Sequence, residues 1–567
     1  MQGKRRSHVV PSALRFPAVL AATILVGGCG GKPWLVDIAP SVGLSFSYEV
    51  GDTTGRPFPQ ISAAGVALFD YDGDGDLDAY FPNGNHRLPM AEADPTSTDH
   101  LFRRDANGQF ADVTAAAGLG DPYYSMGVAT GDYDNDGDQD LYVTNYGPDQ
   151  LYRNRGDGTF ENVSAAAGIR IETWSVGAVF TDVDRDGFLD LFVTTYVDYD
   201  RNKGCTSPAG VPDWCGPASF HDLPDVLLHN NGDGTFTDVS RKAGILGVRA
   251  SSLGVVADDY DADGWPDIFV ANDGDPATLW HNNRDGTFTD VAVAWGAAVS
   301  AMGEPEAGMG IVSDDLNRDG GIDLVITHLV GEKTTLYRSL GPGAGFLDDS
   351  FATGIGAPSR ARTGFGIVAT DLELDGDLDV VVANGRVRSG QTLVEGSNLR
   401  PPLSELAEPK LAYLNDGKGM FTVFDDATCG ACGLVEISRG LVPGDVDGDG
   451  DQDLLILNLA GPARLLENRA PRAGKWLAVR AVDPSLHRDA LGARVTVRAG
   501  GREQARTIRS SMSYASAQEP IAHFGLGDVP AVESVEVRWP SGEFETFAPT
   551  CIDCTLTVRR GEGTAKP

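Results

Sequence analysis

The chain has 567 residues, 71 of them Gly and 32 Pro, and its 81 acidic side chains outnumber 45 basic ones, for a formal net charge of -36. That charge excludes a nucleic-acid binder, which needs a basic surface to neutralise phosphates, while 41% hydrophobic residues exclude a disordered acidic chain. The excess of Gly and Pro predicts short strands joined by tight turns, in an all-β and repetitive chain.

At the N-terminus, Lys4, Arg5, Arg6 and Arg15 precede an apolar stretch, Phe16 to Val26, too short to span a bilayer as a stable helix. It runs into Val26-Gly27-Gly28-Cys29, which resembles the lipobox of bacterial lipoproteins. The resemblance implies a signal peptide over 1–28, cleavage before Cys29 and lipidation of its thiol; ordinary secretion with an incidental Cys29 is the alternative. Ser7-His8 after Arg5-Arg6 lacks the apolar pair usual in twin-arginine export. Gly30 is not the Asp associated with inner-membrane retention, so the expected location is the cell envelope, at the outer membrane or cell surface, held by a lipid anchor only. The other six cysteines fall in three local pairs, Cys205 and Cys215, Cys429 and Cys432, Cys551 and Cys554. Disulfides suit an exported chain; zinc binding or thiol exchange by the two C-x-x-C pairs is the alternative, although no His cluster or βαβ pattern accompanies them.

One nonapeptide, D-x-D-x-D-G-x-x-D, recurs seven times. Carboxylates at positions 1, 3, 5 and 9 can converge on one centre, because Gly at position 6 allows a sharp turn and frees the carbonyl of position 7. Such an oxygen cage suits Ca²⁺. The expected ligands are Asp70, Asp72, Asp74, Asp76 and Asp78 in the first copy and Asp132, Asp134, Asp136, Asp138 and Asp140 in the second. The third has Asp182, Asp184, Asp186, Phe188 and Asp190, and the fourth Asp259, Asp261, Asp263, Trp265 and Asp267. Then come Asp315, Asn317, Asp319, Gly321 and Asp323; Asp371, Glu373, Asp375, Asp377 and Asp379; and Asp445, Asp447, Asp449, Asp451 and Asp453. Asn317 drops a charge, which makes the fifth site the weakest expected, and the longer Glu373 requires its loop to shift. No Glu stands at position 12, so these are not EF-hands. Solvated turns are the plain alternative, but random acidic turns would not keep four ligand positions in every copy. Up to seven Ca²⁺ are expected, and the repulsion they relieve links metal binding to folding.

Each loop is preceded by a Gly-containing apolar strand such as Met126-Gly127-Val128-Ala129 and followed by one such as Leu141-Tyr142-Val143-Thr144; two shorter strands complete the repeat. Four strands at a period of about 60 residues describe a propeller blade. The closing segment, as at Phe160 to Gly168, is missing after the last loop, and a cognate opens the mature chain at Trp34 to Leu44. The expectation is a seven-bladed β-propeller over 34–470 whose last blade is completed by the N-terminal strand, followed by a small β domain over 475–560. In that domain strands are expected at 476–482, 493–498, 503–509, 535–539 and 555–559, with His523 packed or hydrogen-bonded within the domain and a catalytic role as the alternative.

The loops and their preceding strands resemble the FG-GAP or VCBS repeats of integrin α-subunit propellers and many bacterial surface proteins. Trp476-Leu477, Arg488 to Val495, His523-Phe524-Gly525-Leu526-Gly527 and Val537 to Gly542 resemble the ASPIC/UnbV domain. Their order is that of bacterial relatives of cartilage acidic protein, a resemblance that implies a calcium-binding extracellular protein.

All the acidic loops join first to second strands and so share one face. Length varies on the other face, where 83–99, 198–224 and 384–410 form long excursions, either binding loops or neutral insertions. Five residues past each final Asp stand Asn83, Asn145, Thr195, Asn272, His328, Asn384 and Asn458. Such residues close turns or, alternatively, ring a channel mouth. On the second reading Tyr124, Asn145, Trp174, Asn272, His328, Arg362, Asn384 and Arg386 bind a ligand, with Tyr196 and Asp273 adjacent; aromatic rings beside amides suit a sugar or a peptide. The expected function is adhesion or binding of a glycan or extracellular protein. The alternatives are an enzyme acting on a glycan or secondary metabolite and a purely structural surface component. G-x-S-x-G, H-E-x-x-H and P-loop motifs are absent, and the G-x-G pairs Gly308/Gly310 and Gly364/Gly366 lie in blade strands.

Overall fold

A computed structural model describes residues 32–85, 93–207, 209–389 and 394–566; the expected signal peptide and Cys29 lie outside them. The fold is all-β. Each acidic repeat lies in a sheet of its own whose repeat strands run antiparallel in chain order, four of them in each of the first six repeats and three in the seventh. The second sheet is representative: Tyr124–Gly131, Asp140–Tyr146, Gln150–Asn154 and Phe160–Asn162. Its first strand is buried along its whole length and its second nearly so, because sheets on both sides cover it. That is why these segments read as apolar and small residues without a strict alternation of apolar and charged ones.

Seven sheets of this kind are present among the described residues. The last is completed by Leu35–Asp37, paired antiparallel with Arg464–Asn468 through Leu35 and Asn468, Val36 and Glu467, and Asp37 and Leu466. The N-terminal strand thus covers an edge that the C-terminal repeat leaves open. A ring of glycines explains how the first strands pack. A Cβ on Gly127 would meet the carbonyl of Val176, on Gly177 that of Leu253, on Gly254 that of Met309 and on Gly310 that of Phe365. The same holds for Gly366 with Arg439 and Gly440 with Ala64, all well inside van der Waals contact. Gly65 donates its N–H to Met126 O at 2.8 Å and so returns the series to its start. Between sheets the core is aliphatic, as where Val312 and Val325 of the fifth meet Ile367, Val380 and Val382 of the sixth.

The C-terminal segment forms two sheets. Lys475–Asp483 lies between Ala522–Gly527, antiparallel, and Cys554–Arg559, parallel. Arg494–Ala499 lies between Arg502–Thr507 and Val532–Arg538, with Phe544–Phe547 outside the latter. Leu477, Val479, Phe524, Val495, Val537 and Trp539 fill the space between them, in a cluster that continues into Tyr142 and Leu191 of the repeat sheets.

A hairpin absent from the sequence reading leaves this domain and enters the channel lined by the first strands. Ser516–Gln518 pairs parallel with Ala67–Phe69, and Ser511–Met512 lies outside it, so the first sheet has six strands. Ser513 exchanges backbone bonds with Ile311 at 2.9 and 3.0 Å, and Ala515 O accepts from Val128 N at 3.0 Å. The hairpin therefore bonds to opposite sides of the ring at once. Tyr514 at its tip is fully buried, edge-on to Phe365 at 4.9 Å, with its hydroxyl donated to Ser62 O. Arg439, also fully buried, lies 3.7 Å over the other ring in this layer, Phe365. It donates to Ile61 O at 2.8 Å and Gly385 O at 3.0 Å. Three disulfides join Cys205 to Cys215, Cys429 to Cys432 and Cys551 to Cys554.

Candidate functional site

Two regions hold the chemistry. In the acidic loops the backbone is ordered by the carboxylates themselves. The Asp at position 1 accepts the N–H of the position-6 glycine, as in Asp132 with Gly137 at 2.9 Å and Asp445 with Gly450 at 2.9 Å. The carboxylate at position 5 accepts the N–H of position 7, as in Asp186 with Phe188 at 2.8 Å and Asp263 with Trp265 at 2.8 Å. The buried Asp at position 9 accepts from the third strand, as in Asp140 with Asn154 at 2.8 Å and Asp323 with Ser339 at 2.8 Å. Position 6 has positive φ, as the Gly requirement predicts. Position 4 is left-handed as well, at Asn135, Arg185, Ala262, Arg318 and Leu374, with φ of 59 to 63°. The sequence pattern does not announce this second left-handed residue, because only Gly73 and Gly448 mark it.

The loops collect more carboxylates than the few Arg and His side chains that reach them neutralise. Asp70, Asp72 and Asp78 converge, as do Asp132, Asp134 and Asp136, and Asp259, Asp261 and Asp263. Burial, reinforced by the neighbouring carboxylates, pushes Asp78 up to about 8, and burial also raises Asp132 and Asp323 to about 7. Asp72 Oδ1, Asp134 Oδ1, Asp267 Oδ2 and Glu373 Oε2 are buried without a hydrogen-bond partner. Orphaned anionic oxygens inside a cage of acids fit a hard divalent cation, which would supply the missing positive charge. The loops differ in what else reaches them. His229 Nδ1 stands 3.0 Å from Asp190, and His281 Nδ1 3.1 Å from Asp267. Sequence reasoning missed both histidines; their signal is the shared His-Asn in the third strands. Arg538 pairs with Asp259, Arg318 with Asp377 and Arg104 with Asp76.

The C-terminal domain covers these loops. Arg488 donates to Asn135 Oδ1 at 2.9 Å and Gly187 O at 3.1 Å, and Arg494 donates to Gly320 O at 3.1 Å. His523 Nε2 donates to Gly450 O at 2.8 Å, and burial pushes this imidazole down to about 4, so it is a neutral docking contact. Arg509 pairs with Asp258 at 2.5 Å just ahead of the fourth loop.

On the opposite face the ring of strand-end residues closes turns. Asn145 Nδ2 donates to Pro148 O at 2.8 Å, Asn272 Nδ2 to Pro276 O at 2.6 Å, and Asn458 Nδ2 to Pro462 O at 2.8 Å. Asn83 donates to Thr98 O, Thr195 to Pro224 O and Asn384 to Thr363 O. His328 Nδ1 donates to Lys333 O at 2.7 Å, and burial pushes it down to about 4. The ligand-ring reading is therefore corrected for Asn145, Asn272, His328 and Asn384: each is buried, and its donor is spent on a backbone carbonyl, of its own loop in the first three and of Thr363, ahead of the neighbouring first strand, in Asn384. Arg362 donates to Pro409 O and Lys410 O, and Arg386 pairs with Glu408 at 2.9 Å. Tyr124 and Trp174 are buried too. Trp174 packs edge-on against Phe58 at 5.3 Å and Tyr196 at 5.0 Å, behind a cavity wall.

That cavity opens at the channel mouth and measures about 440 Å³. Phe58, Tyr196, Phe220 and Phe365 form its aromatic surface, and Asp222, Asp273, Asp275 and Glu332 stand around it with Arg388. Tyr196 and Asp273 were near the sequence reading and Phe365 lies in a repeated first strand, whereas Phe58, Phe220, Asp222, Asp275 and Glu332 come from segments that carry no periodic signal. The hydroxyl of Tyr196 donates to Asp273, whose carboxyl burial raises to about 6.

Residues 83–143, 132–193, 218–270 and 259–326 match the FG-GAP-like repeat family, and residues 483–565 match the ASPIC and UnbV family. The chain is 26% identical to cartilage acidic protein 1 of Mus musculus over 520 residues, covering 90% of this chain and 65% of that protein. It is also 26% identical to the Homo sapiens protein over 523 residues, covering 90% of this chain and 64% of that one. The chain thus spans just under two thirds of the length of these relatives. Among solved structures it resembles an Agrocybe aegerita lectin described as recognising non-reducing terminal N-acetylglucosamine, at 16% identity, TM-score 0.36 and coverage of 72% and 95%. It also resembles the rhamnogalacturonan lyase YesW, at 14% identity, TM-score 0.36 and coverage of 72% of each chain. The chain carries FG-GAP-like repeats followed by an ASPIC and UnbV domain.

Proposed function

We propose that this chain is an exported binding or adhesion module, lipid-anchored through Cys29, in which Ca²⁺ in the acidic loops rigidifies one face and a glycan or protein ligand docks at the other. The observation that carries this reading is the placement of the C-terminal domain. Its arginines and His523 occupy loop carbonyls, and its hairpin fills the channel as far as Tyr514. The metal face is thereby committed to internal contacts. The channel mouth keeps a concave, partly aromatic cavity with convergent polar groups, the usual character of a ligand site.

Calcium supplies the charge that the orphaned oxygens of Asp72, Asp134, Asp267 and Glu373 lack, and it holds the loops in the shape that the C-terminal domain contacts. A second reading, an enzyme acting on a glycan or secondary metabolite, draws on the pairing of Tyr196 with Asp273, whose raised carboxyl sits within proton-exchange range at neutral pH. Screening the full chain against glycan and peptide arrays, with Ca²⁺ and with EGTA, separates the two. Saturable binding without product supports a binding module; product formation supports the enzyme. Incorporation of a labelled fatty acid that is lost in Cys29→Ala tests the anchor.

A further inference from the structure

The cavity at the channel mouth has a definite electrostatic sense. Its four carboxylates are held in place by neutral groups. Asp275 accepts Ser251 N–H at 3.0 Å, Asp222 accepts Ser251 O–H at 2.9 Å, and Glu332 accepts Ala307 N–H at 3.0 Å and Leu329 N–H at 3.2 Å. Asp273 accepts from Tyr196. Among the described residues, no Lys or Arg forms an ion pair within 4 Å with any of the four, and Arg388 stands at the rim. These acids are positioned without a contact ion pair, with the Arg388 charge near Asp273 and the Lys333 charge near Glu332.

The walls add a second preference. Phe58 stands 5.5 Å from Tyr196 and stacks on Phe220 at 5.9 Å, in an aromatic wall in which Phe58 and Tyr196 are buried and Phe220 is half-buried. The outer rings already attract cations of this chain. Lys203 Nζ lies 5.4 Å over Phe220, and the Arg56 guanidinium lies 5.3 Å over Trp214 on the adjoining loop. Ring faces and fixed carboxylates around one solvent-reached cavity favour a group that is both apolar in its stem and positive at its tip.

We propose that the group bound in this cavity is an organic cation, the side chain of a Lys or Arg presented by a protein partner. The stem lies along Phe58, Tyr196 and Phe220, and the charged tip reaches Asp273 and Glu332. A volume of about 440 Å³ admits one such side chain and part of its neighbour. Neutral sugars would leave the carboxylate charge uncompensated, and acidic ligands would be repelled. The proposal rests on the reading that the channel mouth is the binding face, and it narrows the ligand of that face from a glycan or protein to a basic protein segment.

The test uses the full chain in Ca²⁺ buffer, titrated with capped, labelled pentapeptides centred on Lys or Arg, on Gln or norleucine, or on Glu. The basic peptides should bind at least about tenfold more tightly than the neutral ones and weaken as salt is raised. Asp273→Asn and Glu332→Gln keep their hydrogen-bond acceptors and should each weaken basic peptides by about five- to tenfold, with unchanged melting temperature. Arg388→Gln should strengthen them. Equal affinity for neutral and basic peptides, no binding of basic peptides, or indifference to both amide variants overturns the proposal, as would loss of a Ca²⁺ equivalent in Asp273→Asn. Ala218→Trp narrows the mouth and separates the two levels of the argument. An array ligand blocked by Ala218→Trp but indifferent to Asp273→Asn sinks only the cation claim; one that ignores Ala218→Trp sinks the binding-face reading as well.

Discussion

The acidic-loop face and the channel mouth are both rich in carboxylates, yet the fold treats them in opposite ways. On the loop face Asp78, Asp140 and Asp453 are buried under strands, and the loop carbonyls are taken by Arg488, Arg494 and His523 of the C-terminal domain. At the mouth Asp222, Asp273, Asp275 and Glu332 line a cavity that solvent reaches. The difference teaches that acid density alone does not separate carboxylates enclosed by the fold from those left at a cavity. What separates them is whether another part of the chain has closed over them.

The largest effect should come from removing metal, and its pH dependence has a fixed sign. Burial raises Asp78 and Asp267 to about 8 and Asp132 and Asp371 to about 7, against an unfolded value of about 4. The metal-free folded state therefore binds more protons than the unfolded chain across that window, and its stability falls as pH rises through it. EGTA should lower the melting temperature strongly at pH 8 and much less at pH 5. An EGTA-treated protein that is equally stable at both values would break the account of the loop face.

Next in size is the hairpin. Tyr514→Ala removes a fully buried ring and the bond to Ser62, which should cost about 3–5 kcal/mol in denaturant unfolding. A loss under about 1 kcal/mol would mean that the channel does not hold the C-terminal domain in place. Smaller still is the contrast between loops. The second loop has an acid at every expected ligand position, whereas the fifth has Asn317 and Gly321 in their place, and Asn317 Nδ2 bonds to Asp319 at 2.8 Å. With free Ca²⁺ a hundredfold above its dissociation constant a site contributes about 2.7 kcal/mol, so Asp136→Ala should approach that loss and Asp319→Ala fall short of it. The reverse order would refute the charge argument. The smallest effect belongs to the mouth: Asn272→Ala frees Pro276 O and should cost about 1 kcal/mol, with Ca²⁺ uptake unchanged by calorimetry.

Much of this was legible in the chain. The nonapeptides, the apolar first and second strands, and the cognate at Trp34 to Leu44 are local patterns, and local patterns survive in a sequence. The hairpin was not legible, because Ser511–Met512 and Ser516–Gln518 are short and rich in small residues. Their partners lie hundreds of positions away, and Ser513 and Ala515 adopt φ of 65° and 49° only in that context. The strand-end amides were visible as a series but ambiguous in role, since an Asn that closes a turn and one that meets a ligand look alike until its donor is placed. The prolines at Pro148, Pro276 and Pro462, three or four residues after Asn145, Asn272 and Asn458, were the available clue.

The central claim is that metal loading and C-terminal docking are one structural event on one face, leaving the other face to bind. Hydrogen exchange on the full chain, with Ca²⁺ and with EGTA at neutral pH, tests it most directly. The account predicts that chelation deprotects the loops together with 511–518 and the amides they bond, including Val128 and Ile311. Full protection of 511–518 after the loops have opened would contradict it.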